Sequence, residues 1–324
     1  MIICVTPNVA VDRTYIVPTV RLGTVLRSNR TIVAAGGKGI NVARAITILG
    51  EQPLVMGILG GRSGEMVADL AEAEGLVAQW SWAAGETRNC AILVSEDGSP
   101  ETVINDRGGK LTMTEWLQFI QDVVEAARGN PTTLADEPQP PATVAGRRAD
   151  AVCICGSLPP GTPPHAPADL VEALLATGIP VWLDASGPAL AHALEARPTG
   201  IKVNNEEAGA LLGQSLNYLD DVHDAARQLQ ERGVDYVVIT LGARGAVCHS
   251  PEGEYHLRTP VVQAVSAAGS GDAFLGALLV AQSRGLPTET ALAWGIAAGA
   301  ANTMMPGGGL FARADFDELL AELQ

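Results

Sequence analysis

The sequence predicts an α/β fold, a central mostly parallel sheet flanked by helices with a small β-sheet at its side. Short β-branched runs alternate with longer Ala/Leu segments, the rhythm of strands joined through helical crossovers. Gly and Ala are abundant while aromatic residues make up only 4%, which suits close packing of helices on a sheet. A second group of strand-like segments looks free of intervening helices and is expected to form a small antiparallel sheet.

Strands are expected over 2–5, 54–58, 151–155, 181–184, 200–203 and 236–240. Helices are expected over 39–49, 64–74, 114–128, 166–176, 206–212, 221–232, 271–283, 288–303 and 314–323. Their alternation implies right-handed connections and a sheet covered on both faces. The second set of strands, about 11–17, 30–34, 89–95 and 101–105, would form the small sheet. Its last two members flank the turn-rich Glu96-Asp97-Gly98-Ser99-Pro100. Such a sheet covers little core alone, so it would serve as a lid, a dimer surface or both. The Pro- and Thr-rich stretch 129–147 reads as an exposed loop.

A chain of 324 residues, 47% hydrophobic and 18% charged, can bury a large core. Its formal charge of −15 excludes bulk attraction to nucleic acid or anionic membranes, so any anionic ligand must be held by a few placed cations. The N-terminus lacks the features of a secretion signal, and no apolar stretch is long enough for a membrane span; the expected location is cytoplasmic. Cys4, Cys90, Cys153, Cys155 and Cys248 show no zinc-ligand spacing and read as structural thiols. The five histidines are scattered, so no resident metal site is expected beyond Mg²⁺ carried by a substrate.

Gly269-Ser270-Gly271-Asp272 opens a long apolar helix. A helix start leaves N–H groups unpaired and carries roughly half a positive charge, and residues without bulk let an anion approach it. The acid reads either as a helix-stabilising charge or as a base beside a bound phosphate. Gly36-Gly37-Lys38-Gly39-Ile40-Asn41 opens an earlier helix. It is neither a Walker A loop, which needs Ser or Thr after its Lys, nor GxGxxG. Lys38 and Asn41 at one helix mouth mark a binding loop. Asp12 can accept hydrogen bonds from two sugar hydroxyls. Asn204 and Glu207, at a strand end, read as holders of a hydrated Mg²⁺ or its phosphates, as an N-cap with its capping-box partner, or as both. The turn holding Thr240 and Gly242 reads as a nucleotide contact or a plain tight turn.

Together these segments resemble the PfkB (ribokinase-like) carbohydrate kinases, from Asn8 to about Gly309. GGKGINVARA at 36–45 matches the family's N-terminal signature and GSGDAF at 269–274 its C-terminal one, with KVNNEE and TLGARG between them. The resemblance implies a single PfkB-type kinase domain over 1–324, a ribokinase-like central sheet with a small β-lid, and ATP-dependent phosphorylation of a sugar hydroxyl with Mg²⁺. On the matched positions Asp272 would be the base, and the N–H groups of Gly269, Ser270, Gly271 and Asp272 the anion hole. Lys202, Asn204, Glu207, Thr240 and Gly242 would meet the nucleotide, Glu207 also reaching Mg²⁺ through water. Asp12, Gly37, Lys38 and Asn41 would face the substrate.

Three details resemble the branch acting on phosphorylated ketohexoses: GINVARA after GGKG, Glu86-Thr87-Arg88-Asn89-Cys90, and Gly156-Ser157-Leu158-Pro159-Pro160-Gly161. Arg88, Arg27 and Lys38 are the cations available for the substrate's phosphate. The implied substrates are fructose 1-phosphate, fructose 6-phosphate or tagatose 6-phosphate. The alternatives are an unphosphorylated sugar or nucleoside, or a non-catalytic sugar-phosphate binder. A homodimer through the lid sheet is a further expectation of the resemblance. Val203 replaces the family's usual Pro, and Ala267 stands where a Ser or Thr hydroxyl is frequent.

Overall fold

The computed structural model describes residues 1–99, 101–130 and 146–324. Most of the 129–147 loop expected from sequence therefore lies outside the described residues. The main sheet has β1 (Ile2–Thr6) in its interior. On one side stand β4 (Leu54–Leu59) and β5 (Ala78–Trp82). On the other stand β8 (Ala151–Cys155), β9 (Val181–Asp184), β10 (Gly200–Asn204) and β11 (Tyr236–Thr240). All of these pair in parallel. β12 (Ala246–Ser250) and β13 (Gly253–Leu257) extend the β11 edge antiparallel. A separate four-stranded lid sheet runs β3 (Arg30–Gly36), β2 (Ala10–Val17), β6 (Arg88–Ser95), β7 (Thr102–Asn105). Its central pair β2–β6 is parallel, against the antiparallel sheet expected, because two helices together with β4 and β5 carry the chain back from β3 to β6.

Ten helices accompany the strands among the described residues: α1 (Lys38–Ile48), α2 (Gly61–Ala73), α3 (Met113–Arg128), α4 (Ala166–Leu175), α5 (Gly187–Glu195), α6 (Asn205–Leu212), α7 (Leu219–Glu231), α8 (Ser270–Ser283), α9 (Thr288–Thr303) and α10 (Arg313–Leu323). The period-2 alternation of the buried strands sorts their side chains into two cores. Ile3 and Val5 of β1 join Trp116, Leu170 and Val222 on the α3–α7 side. Ile2 and Cys4 join residues of α1, α8, α9 and α10 on the other. All five cysteines are buried free thiols.

Helix α8 is buried on every side from Asp272 to Ala281, as its unbroken apolar sequence requires. Small residues set its spacing. A Cβ on Gly276 would stand 2.9 Å from the Val42 carbonyl of α1, and one on Gly295 of α9 would meet the Phe274 ring at 2.9 Å. Close approach of α1 brings Asn41 to the first turn of α8.

Three strands and one helix went unanticipated: β5, β12, β13 and α5. Helix α5 opens with Gly187-Pro188, which resembles a turn, yet Pro is well suited to a first helical turn. β12 and β13 carry His249, Ser250 and Glu254, polar residues that break an apolar strand pattern. Among the described residues no helix is long and apolar enough to cross a membrane.

Candidate active site

From β1 the sheet extends one way through β4 and the other through β8, so the strand order reverses at this point. Open α/β sheets bind ligands in the crevice outside the strand carboxyl ends at such a reversal. Buried Asn8, just past β1, spans it. Its Nδ2 donates to the Arg107 carbonyl, Ser157 Oγ and the Leu158 carbonyl at 3.2, 3.2 and 3.3 Å.

The first turn of α8 points into this crevice. Gly269 has φ 75°, and a Cβ there would lie 2.3 Å from Gly308 Cα, so a side chain is barred on both counts. Fully buried Asn302 fastens the two loops together. Its Nδ2 donates to the Ala268 and Gly307 carbonyls at 3.2 Å each, and its Oδ1 accepts from Gly309 N at 2.9 Å. Of the four N–H groups expected to form the anion hole, Ser270 donates to the Ala267 carbonyl at 3.3 Å and Asp272 to the Gly269 carbonyl at 3.0 Å. Those of Gly269 and Gly271 have no acceptor among the described residues.

Asp272 is 5% exposed and accepts a hydrogen bond from Asn41 Nδ2 at 2.8 Å. Arg44 Nη1 donates to Asn41 Oδ1 at 2.8 Å, while the same guanidinium grips both Glu74 oxygens at 2.7 and 2.8 Å and the Ala35 carbonyl at 2.7 Å. Beside Asp272, the fully buried Asp184 at the end of β9 accepts from two ammonium groups, Lys38 Nζ at 2.8 Å and Lys202 Nζ at 2.5 Å. A Cβ on Gly271 would reach Lys202 Nζ at 2.7 Å, so the absent side chain leaves room for the cation against the helix start.

Charge states follow from this packing. Burial pushes Asp272 up, nearby Asp184 adds to that, and Lys202, Lys38 and the Asn41 hydrogen bond oppose it; the result is about 6. Burial also raises Asp184, but its two lysines outweigh that and hold it below the usual carboxylate value. Burial works against the Lys38 ammonium, yet Asp184, Asp272 and Glu207 more than offset it and raise its pKa. One acid is thus kept ionised while its neighbour is poised near neutrality, a pattern that marks functional sites.

The other residues singled out from sequence fall as follows. Asn204 and Glu207 form a reciprocal capping box at α6: Asn204 Oδ1 accepts from Glu207 N at 2.8 Å, and Glu207 Oε2 from Asn204 N at 2.9 Å. Glu207 Oε1 has no hydrogen bond among the described residues. Thr240 Oγ1 donates to the Val203 carbonyl at 3.3 Å, and Gly242, with φ 60°, opens a short 3-10 turn after β11. Asp12 on β2 fills the space left by Gly36, whose Cβ would stand 2.3 Å from the carboxyl carbon. Burial raises Asp12, against the pull of Arg88 and Arg44. A Cβ on Gly37 would meet the Thr6 side chain at 2.5 Å, so the binding loop lies tight on the end of β1. Arg88 donates from Nε to the Asn8 carbonyl at 3.1 Å and from Nη1 to the Asp106 carbonyl at 3.3 Å. Arg27 stands exposed between β2 and β3, and no hydrogen bond or ion pair among the described residues ties it to the others.

The sequence profile described as pfkB family carbohydrate kinase matches residues 5–130 and 141–313. The chain belongs to that family. Among solved structures, this kinase is similar to phosphofructokinase-2 from Escherichia coli in complex with potassium (28% identity, TM-score 0.88, 99% of this chain and 98% of that one). It is equally similar to the same enzyme in complex with fructose-6-phosphate (29% identity, TM-score 0.87, 99% and 98% covered). Ribokinase from Arabidopsis thaliana complexed with ribose and ATP shares the fold (19% identity, TM-score 0.73, 98% of each chain).

Sequence reasoning missed four residues of this candidate site. Asp184 closes an apolar strand, and only the sheet order sets it beside Lys38, 146 positions away. Arg44 and Asn302 lie inside helices whose small-residue faces conceal them. Ser266 supplies a hydroxyl near the place where Ala267 lacks one: its Oγ accepts from Ala268 N at 3.2 Å and donates to Glu101 of the lid side at 2.8 Å.

Proposed function

We propose that this kinase transfers the γ-phosphoryl group of ATP to a free hydroxyl of a phosphorylated ketohexose, with fructose 6-phosphate first among the three substrates named above. The observation that carries this reading is Asp272, buried at a helix N-terminus and held near neutrality between Asn41 and the Lys38–Asp184–Lys202 cluster. The substrate class rests on the likeness to a phosphofructokinase-2 bound to fructose-6-phosphate and on Arg88 beside Asp12.

In this reading Asp272 takes the proton of the sugar hydroxyl. The oxygen so freed bonds to the γ-phosphorus as the bond to the β–γ bridging oxygen breaks, and ADP leaves. Charge gathering on the phosphoryl oxygens meets the free N–H groups of Gly269 and Gly271 and the Lys202 ammonium. Asp12 orients the sugar through two of its hydroxyls. Thr240 and Gly242 border the nucleotide, and the lid sheet shields the crevice from water. Glu207, with Oε1 clear of its capping box, fits a water-coated Mg²⁺, which supplies charge neutralisation on the phosphates when bound. Exposed Val103 and Ile104 on β7 support a homodimer through the lid sheet.

A coupled ADP-release assay over the three ketohexose phosphates, free sugars and nucleosides tests the proposal. Turnover on a phosphorylated ketose supports it. Turnover confined to free sugars or nucleosides overturns the substrate class. A second reading, a kinase of an unphosphorylated sugar, is favoured by the engagement of Arg88 with backbone carbonyls. It expects Arg88→Ala to leave KM for the sugar unchanged.

A further inference from the structure

We propose that His223, His249 and Glu254 form a binding site for one divalent transition-metal ion of the zinc class, separate from the crevice around Asp272. The residues are scattered in sequence, and the fold collects them from three elements. Register sets His249 of β12 directly opposite Glu254 of β13, so both side chains stand on one face of the sheet. Val247, two residues before His249, belongs to the core covered by α7, and α7 carries His223 over the pair.

The three ligand atoms make a compact triangle. His223 Nδ1 and His249 Nε2 are 2.9 Å apart, and Glu254 Oε2 lies 3.9 Å from the first and 3.6 Å from the second. Tetrahedral zinc with bonds of about 2.0–2.2 Å places its ligand atoms roughly 3.3–3.5 Å apart. The observed sides straddle that range, and small rotations of His223 and Glu254 reach it.

An ion would replace the hydrogen bond that now joins His223 Nδ1 to His249 Nε2, whereas Glu254 Oε2 makes none. Glu254 Oε2 is aimed at the imidazole pair yet too far from either for a hydrogen bond. Arg227, one turn beyond His223, holds the other oxygen, with Nη2 at 3.6 Å from Oε1, and so orients the carboxylate without occupying its free side. His249 Nδ1 has no hydrogen-bond partner, so what faces Nε2 alone sets its tautomer. The side chain of His249 is fully buried, while those of His223 and Glu254 are 23% and 49% exposed, which gives an ion an entry path and a water its fourth position.

Two imidazoles and one carboxylate suit zinc, cobalt, nickel or copper, whereas Mg²⁺ prefers an all-oxygen shell. The site is therefore blind to the Mg²⁺ that accompanies a nucleotide. It also lies back from the crevice. Thr240 pairs with Ala246 at the crevice end of β11, whereas His249 pairs with Val237, about 10 Å along the strand. A bound ion would cross-link α7 to the edge hairpin.

The test uses the full-length chain, stripped with chelator, and Zn²⁺ and Co²⁺ as probes. Expected results are one Zn²⁺ per chain by dye competition and a tetrahedral Co²⁺ absorption band. At free Zn²⁺ near 100 times Kd, Tm should rise by about 4 °C. His223→Gln and Glu254→Gln, both at partly exposed positions, should each weaken binding at least tenfold and abolish the Tm rise, with unchanged circular dichroism. Asp272→Asn should bind as the parent does. Equal uptake by parent and both variants, no uptake by the parent at about 100 μM Zn²⁺, or uptake lost in Asp272→Asn would overturn the proposal.

Discussion

Arg44 determines which end of Asn41 faces Asp272. A guanidinium has only donors, so Asn41 must turn its oxygen to Arg44, leaving its NH₂ for the Asp272 carboxylate. That hydrogen bond favours the ionised acid, while burial beside Asp184 favours the protonated one; the balance falls at about 6. Glu74, by gripping Arg44, belongs to the same chain of constraint.

Replacing Asp272 with Asn should lower kcat at least about 10²-fold with nucleotide affinity nearly intact. Stability should move the other way. The folded pKa of about 6 exceeds the ordinary 3.8, so ionising Asp272 destabilises the fold above about pH 6 and costs nothing below 3.8. Asp272→Asn should therefore be more stable than the parent at pH 8, by about 1–3 kcal/mol, and lose that advantage near pH 4. Urea unfolding at both pH values, alongside steady-state kinetics, checks the pair of effects.

Activity should rise with pH through an acid limb near 6, where Asp272 loses its proton. Because the Asn41 hydrogen bond lowers that pKa, Asn41→Ala should shift the limb to higher pH. A kcat–pH profile of the variant that superimposes on the parent's would deny Asn41 this role.

Asp184→Asn should leave Lys38 and Lys202 without their shared counter-charge, a loss of about 3–5 kcal/mol for a buried group. The folded pKa of Asp184 lies below the ordinary 3.8, so its stabilisation is present above that value and fades as pH falls through the folded pKa. The stability gap between parent and variant, read by urea unfolding, should be full at pH 7 and shrink below about pH 4.

Gly269→Ala and Gly271→Ala should differ in kind. At 269 the new methyl group meets Gly308 backbone in a left-handed conformation, and a loss above about 2 kcal/mol is expected. At 271 it presses on the Lys202 ammonium bound to buried Asp184, so a smaller stability loss than at 269 is expected together with a higher KM for ATP. Thermal melts and kinetics on both variants separate the two.

The rhythm of apolar strands and Ala-rich helices was legible because β1, β4, β8 and β9 are buried along their whole length and the helices between them cover the sheet. Asp272, Asn41 and Lys38 were legible because glycines around them announce close approach. Asp184 was not, since an acid after Val181-Trp182-Leu183 looks like the solvated end of any strand. Asn204 and Glu207 kept two readings, and the capping box realises one without removing Glu207 Oε1 from the other. The histidines looked scattered because their meeting depends on a hairpin whose polar strands hid it.

Two ammonium groups, Lys38 and Lys202, face two carboxyls, Asp184 and Asp272, so the crevice brings almost no surplus positive charge of its own. Around it lies a chain of net charge −15. A free nucleoside triphosphate thus approaches against a repulsive field, which fades over a screening length of about 8 Å at physiological ionic strength. Added monovalent salt should quicken the encounter, as stopped-flow association rates would register. Where many enzymes gather anionic substrates by long-range attraction, the proposed function has this one recognise phosphates only on arrival, through N–H groups and cations that act over a few ångströms.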